Sequence, residues 1–198
     1  MTFVSRATAR MRVPILTATT LALTAATTAT RLRGPAVVHA LRRDPTALRS
    51  GQVWRLLSPV LVQTDRSAVV VLATFVLCAA IGVVGEQVLP RGQWITLYLV
   101  GALVGHGIGE AFQPRQGGTS VAFAAILGGL AARALQPGAR VPRPLRIEAA
   151  LLIPLALLDT ALGDIHGLPF LAGLAVATIG CRRHDRARVD RGVSTTPE

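Results

Sequence analysis

The sequence predicts an all-α polytopic membrane protein, a bundle of six transmembrane helices. Three observations carry that expectation. Several apolar runs approach the roughly 20 residues that a helix needs to cross a bilayer. The composition is 51% hydrophobic, with a mean hydropathy of +0.50. The alternating pattern of a β-barrel is absent, and in hydrocarbon only helices and closed barrels satisfy their own backbone groups. At 198 residues the chain is one domain by length. Residues 1–12 read as a basic cytoplasmic N-terminus, 13–181 as the six-helix membrane domain, and 182–198 as a charged, disordered cytoplasmic tail.

The spans follow in order. Val13 to Thr30 is the weakest, rich in Thr and Ala. Its basic start and the small residues near Ala25-Ala26 also fit a signal peptide. A retained first span gives the even count that suits both charged ends. Arg31 to Gln63 is polar to amphipathic and holds Trp54-Arg55, a pair suited to the headgroup region. Ala68 to Val84 is the second span, followed by Gly85-Glu86 and a tight Leu89-Pro90-Arg91-Gly92 turn. Trp94 to Phe112 is the third, with Gly101, Gly105 and Gly109 forming a seam for close helix contact. Ser120 to Leu135 is the fourth, and Ser120, Ala124, Gly128 and Ala132 share its small face. Ile147 to Leu162 and Ile165 to Gly180 are the fifth and sixth.

The net charge of +11 comes entirely from Arg, since the chain has no Lys. The Arg residues lie between apolar runs and at the chain ends, with no aromatic-rich module around them. They are topology determinants and lipid-headgroup contacts, and nucleic acid is not an expected partner. Arg6, Arg10 and Arg12, the tail Arg residues, and Arg140, Arg143 and Arg146 all fall on one side if there are six spans. The positive-inside bias makes that side the cytoplasm, and the plasma membrane is the expected site. The Arg-rich segment 31–55 breaks the bias, and a structured element lying in the interface would accommodate it. Cys78 and Cys181 are too far apart to imply a disulfide framework or a metal site.

Two polar positions enter from the same leaflet. Ser120 to Arg133 is 13 steps, about 20 Å of helix, and His166 to Arg182 is 16 steps, about 24 Å. With each Arg at the inner edge of a ~30 Å core, Ser120 lies roughly 10 Å and His166 roughly 6 Å below the outer surface. His166, Phe170, Gly173, Ala177 and Gly180 recur on one face, small enough for the sixth span to approach the fourth. An imidazole beside a hydroxyl takes its proton during attack on a carbonyl and returns it to the leaving amine. The alternative is a plain helix-capping Ser and an interfacial His bonded to a carbonyl.

The chain resembles the rhomboid family of intramembrane serine proteases over about Gly51 to Gly180. Gly51-Gln52-Val53-Trp54-Arg55-Leu56-Leu57-Ser58-Pro59 is similar to the Trp-Arg motif of that family's first loop. Gly85-Glu86 followed by Gly92 resembles the end of its second helix and the start of its third. Gly118-Thr119-Ser120 resembles the Gly-x-Ser nucleophile motif, and His166 with Gly173 its sixth-helix His and packing glycine. The resemblance implies a rhomboid-like fold and a Ser120–His166 dyad that cuts transmembrane protein substrates near the outer face. It implies no cofactor or metal. Gly118, Thr119 and the backbone near Ser120 would support the oxyanion, with Thr74. Three departures stand out. Val121 replaces the Gly that usually follows the nucleophile. Val70 and Thr74 occupy the second-helix places of the family's oxyanion donors, His and Asn. Pro169 replaces a Gly after the His, and a shifted alignment would put Phe170 in the catalytic place.

Asp164, two residues from His166, reads as a helix N-cap or first-turn acid that points elsewhere. His106 and Glu110, four apart on the third span, read as a local polar contact rather than a metal site. The competing function is a catalytically inactive rhomboid-like protein that binds transmembrane partners. A small transporter would show internal repeats, and none is present.

Overall fold

The computed structural model describes residues 12–65 and 67–193, and beyond Gly180 the backbone alone. Most of the expected N-terminal segment, the side chain of Cys181 and the last five residues lie outside that description. Among the described residues the chain is all-helical, with no strand. The helices are α1 (Ile15–Ala29), α2 (Ala36–Leu41), α3 (Pro45–Arg49), α4 (Ala68–Val88), α5 (Arg91–Phe112), α6 (Ser120–Leu135), α7 (Arg143–Ala161) and α8 (Gly167–Val193). Three 3₁₀ turns, Thr30–Leu32, Val53–Leu56 and Ser58–Leu61, complete the long segment between α1 and α4.

Two helices, α4 and α5, are long and apolar enough to cross a membrane. The apolar stretches Ser120–Leu135 and Gly167–Gly180 are shorter. Helix α4 runs past Gly85-Glu86 and stops at Leu89, because the residue before Pro90 is pushed out of helical geometry. Helix α7 starts earlier than expected, at Arg143, with a proline in its first turn, where the missing N–H is harmless. Helix α8 starts two residues later than expected and continues through Val193. The tail expected to be disordered is therefore helical to that point; its Arg-rich run has no proline or glycine before Gly192 to end the helix.

Helix α6 is the centre of the bundle and packs against α4, α5, α7 and α8. Glycines set these approaches. A Cβ on Gly101 or Gly105 of α5 would lie 2.6 Å from Ala125 Cβ or 2.5 Å from Val121 Cβ. On α8, a Cβ at Gly173 would sit 2.0 Å from the Ala125 carbonyl oxygen; on α6, one at Gly128 would sit 2.0 Å from that of Phe170. The contacting face of α6 thus includes Ala125 as well as the expected Gly128, and Gly180 takes no part. Trp94 stacks on Tyr98, with ring centroids 5.3 Å apart, and Phe123 meets both edge-on. Many large apolar side chains of α4 and α7, among them Val69, Leu72, Val76, Leu151 and Leu155, are exposed.

Helix α1 joins the bundle through its threonines, the residues that make it a weak apolar run. Buried Glu86 of α4 accepts from the Thr17 N–H at 2.7 Å, the Thr17 hydroxyl at 2.6 Å and the Leu16 N–H at 3.2 Å. A carboxylate there answers the unpaired N–H groups of the first helical turn. Farther along, the Thr24 hydroxyl donates to the Val60 carbonyl at 2.9 Å, Thr27 to that of Leu61, and Thr28 accepts from the Gln63 N–H at 2.9 Å.

Candidate active site

The site begins with the fixing of the loop ahead of α6. The Arg43 N–H donates to the Gln116 carbonyl at 2.8 Å. Thr64 bonds Gly117 three ways: its N–H and hydroxyl donate to the glycine carbonyl, and its Oγ1 accepts the glycine N–H. Fully buried Thr119 precedes the helix as its cap residue, with its hydroxyl 2.8 Å from the Tyr98 hydroxyl. Ser120 is the first helical residue, and its Oγ lies 2.8 Å from His166 Nε2. Both residues are half-buried. The hydroxyl of Ser120 is therefore engaged across the bundle and does not cap its own helix.

His166 lies in the turn before α8, not on the helix. Asp164 folds back over it: its Oδ1 is 2.6 Å from His166 Nδ1 and accepts the His166 backbone N–H at 2.9 Å. This corrects the expectation that Asp164 points away, which assumed helical geometry two residues too early. In an open turn, a carboxylate reaches the backbone two residues on. Burial pushes the Asp164 carboxyl up, but the hydrogen bonds from His166 outweigh it and hold it below its ordinary value of 3.8. An ionised Asp164 accepts the proton of Nδ1, so Nε2 presents its lone pair to Ser120. The order is Ser, His, Asp, each touching the next.

The other expected residues fall as follows. Trp54 is exposed, whereas Arg55 is buried and organises the first loop, donating to the carbonyls of His39 at 3.1 Å and Arg42 at 2.8 Å and to Gln52 Oε1 at 2.8 Å. Val121 packs onto Gly105 of α5, so its bulk is taken up between helices. Pro169 fills the other side of Gly105. Phe170 is core, with its carbonyl against Gly128, and the shifted alignment that would make it catalytic does not match the contacts. Val70 is exposed on α4, and no hydrogen bond joins Thr74 to Ser120 among the described residues.

His106 does not pair with Glu110. Its Nδ1 faces the Arg43 guanidinium at 2.9 Å. A guanidinium only donates, so Nδ1 accepts and the imidazole proton is on Nε2. Arg43 also donates to the Gln113 carbonyl at 3.1 Å, and Gly109 leaves the room it occupies. Burial lowers the Arg43 guanidinium to about 10, with Glu110 opposing. Arg43 carried no sign of this role in the sequence, because no spacing rule links a loop arginine to a helix 63 residues later. Asp164 had a usable sign, the Asp-x-His spacing just ahead of a helix.

Asp159, Asp164 and His166 each bring one potential ligand atom within 4.8 Å of the others. Both ring nitrogens of His166 are already engaged, which leaves that group without an imidazole lone pair for an ion. Beside the site, a cavity of about 530 Å³ is lined by Arg31, His39, Arg42, Gln63 and Arg115 among others. The arrangement as a whole is suited to nucleophilic attack by a hydroxyl with general-base help. No protein-family model matches the chain, and no curated protein matches it either.

Proposed function

We propose that the chain is an intramembrane serine protease of the rhomboid type, built on six spans, that cleaves transmembrane segments near the outer membrane face. The 2.8 Å contact between Ser120 Oγ and His166 Nε2 carries this reading, because it joins residues 46 apart in sequence that have no structural need to meet. The exposed apolar side chains of α4 and α7 favour a lipid surround. Helix α6 has 16 residues and rises about 24 Å, short of a ~30 Å core. The polar loop before it would then dip below the surface, where it is tolerated only against protein or water. Ser120 attacks the scissile carbonyl carbon, and its proton passes to His166 Nε2. The C–N bond breaks as that proton moves to the leaving amine, and water then releases the acyl group by the same route. Both termini lie in the cytoplasm of a plasma-membrane protein under the positive-inside bias.

The test is labelling of the full chain in detergent with a fluorophosphonate, alongside Ser120→Ala and His166→Ala. Labelling of the wild type that is lost in both variants is the expected result. An unreactive wild type would leave a rhomboid-like protein that binds transmembrane partners without cutting them.

A further inference from the structure

The acyl-transfer reading of Ser120 leaves one need unmet: a side-chain donor for the oxyanion. The first N–H groups of α6 have no acceptor within the helix and supply a backbone contribution. Helix α4 offers exposed Val70 and Thr74, the latter without a hydrogen bond to Ser120. We propose that the side-chain amide of Gln63 is the missing donor. This rests on the reading of Ser120 as a nucleophile and assigns that site a further catalytic residue.

Three observations converge on Gln63. It is 1% exposed, yet its Nε2 has no hydrogen-bond partner. Buried polar groups left unpaired are rare in folded proteins and call for an explanation, a catalytic role being one. The amide also faces the nucleophile. The point where a Cβ on Gly118 would sit is 2.9 Å from Gln63 Oε1 and 3.5 Å from Ser120 Oγ. A glycine there leaves the space between amide and hydroxyl free of a side chain. A half-turn about Cγ–Cδ carries Nε2 to the place of Oε1 and turns its N–H groups into that space.

The residue is also held. Its N–H donates to Thr28 Oγ1 at 2.9 Å, fixing it to α1, and neighbouring Thr64 is tied to Gly117. A donor locked in place before the charge develops is what makes oxyanion stabilisation effective. Gly118 therefore serves by lacking a side chain, and Thr28 of α1 positions a catalytic group.

Fluorophosphonate inactivation of the full chain in detergent tests this directly. Ser120 Oγ bonds to phosphorus, its proton passes to His166 Nε2, and fluoride leaves with the P–F electron pair. The phosphoryl oxygen takes the developing charge. Gln63→Ala should slow the covalent step about 10²-fold while the reagent concentration giving half-maximal rate stays within about threefold. Gln63→Met keeps the length and the backbone bond to Thr28 but removes the donor, so it should lose about as much with little change in melting temperature. A wild type that labels at Ser120, with Gln63→Met reacting at the same rate, overturns the role of Gln63 and leaves the protease reading intact. A rate loss matched by weaker reagent binding and earlier melting assigns Gln63 a structural role and also overturns it. An unreactive wild type sinks both proposals.

Discussion

Gly173 lies against Ala125 so closely that a Cβ would sit 2.0 Å from the Ala125 carbonyl oxygen. This contact, with the reciprocal one at Gly128, sets the distance between α6 and α8, and hence the distance from Ser120 to His166. Neither helix can rotate away locally, because the neighbouring atoms are backbone. Gly173→Val should therefore push the helices apart and abolish fluorophosphonate labelling. Overpacking of this kind costs about 1–3 kcal/mol or more, read as earlier thermal unfolding in detergent. Normal labelling of the variant would contradict the account.

Asp164 sets the tautomer of His166. Asp164→Asn keeps an oxygen that can accept from Nδ1 and from the backbone N–H but removes the negative charge that stabilises the imidazolium formed when Nε2 takes the Ser120 proton. The covalent step should slow by about 10²-fold or more with little change in stability. An unchanged rate would reduce Asp164 to a turn residue.

The pH dependence follows from the same carboxyl. Its pKa in the folded chain is depressed, so its contribution is present above the unfolded value of 3.8 and is lost as pH falls through the lower folded value. Stability owed to Asp164 should thus be constant from neutral pH down to the ordinary carboxylate range and decline only below it. In Asp164→Asn, that strongly acid decline in melting temperature should be smaller.

Glu86 anchors α1 by accepting two N–H groups and a hydroxyl, and it is buried. Glu86→Ala strands those donors, and a buried group without its partner costs about 1–3 kcal/mol. The variant should melt earlier, and α1 should become more open to proteolysis near Thr17. Because α1 also holds Gln63 through Thr28, reactivity at Ser120 should fall as well.

Arg43 joins the first loop to α5 with a planar fork that meets His106 and the Gln113 carbonyl together. Arg43→Lys keeps the charge but not that geometry, so it should behave like Arg43→Ala in melting experiments rather than like the wild type. Rescue by Lys would show that charge alone is needed.

The helices were legible in the sequence because apolar run length and proline or glycine punctuation act over a few residues. The bounds of α6 follow from Ser120 and Leu135 alone, and the glycine seam of α5 from its spacing of four. The pairing of Ser120 with His166 was legible as a shared depth, a consequence of helix rise, as small faces on the two helices, and as a resemblance of motifs. Their hydrogen bond depends on how far Gly128 and Gly173 let two backbones approach, which no single segment encodes. Asp164 was misjudged because α8 starts at Gly167, and two residues of non-helical chain reverse the direction of a side chain. Gln63, Arg43 and the threonines of α1 were invisible as partners because their contacts join segments 34 to 73 residues apart. The sequence by itself determined an all-helical chain and where its polar side chains interrupt it. Only tertiary packing decided which of those polar groups face one another, since hydrogen bonds form across the bundle at distances set by side-chain volume rather than by order in the chain.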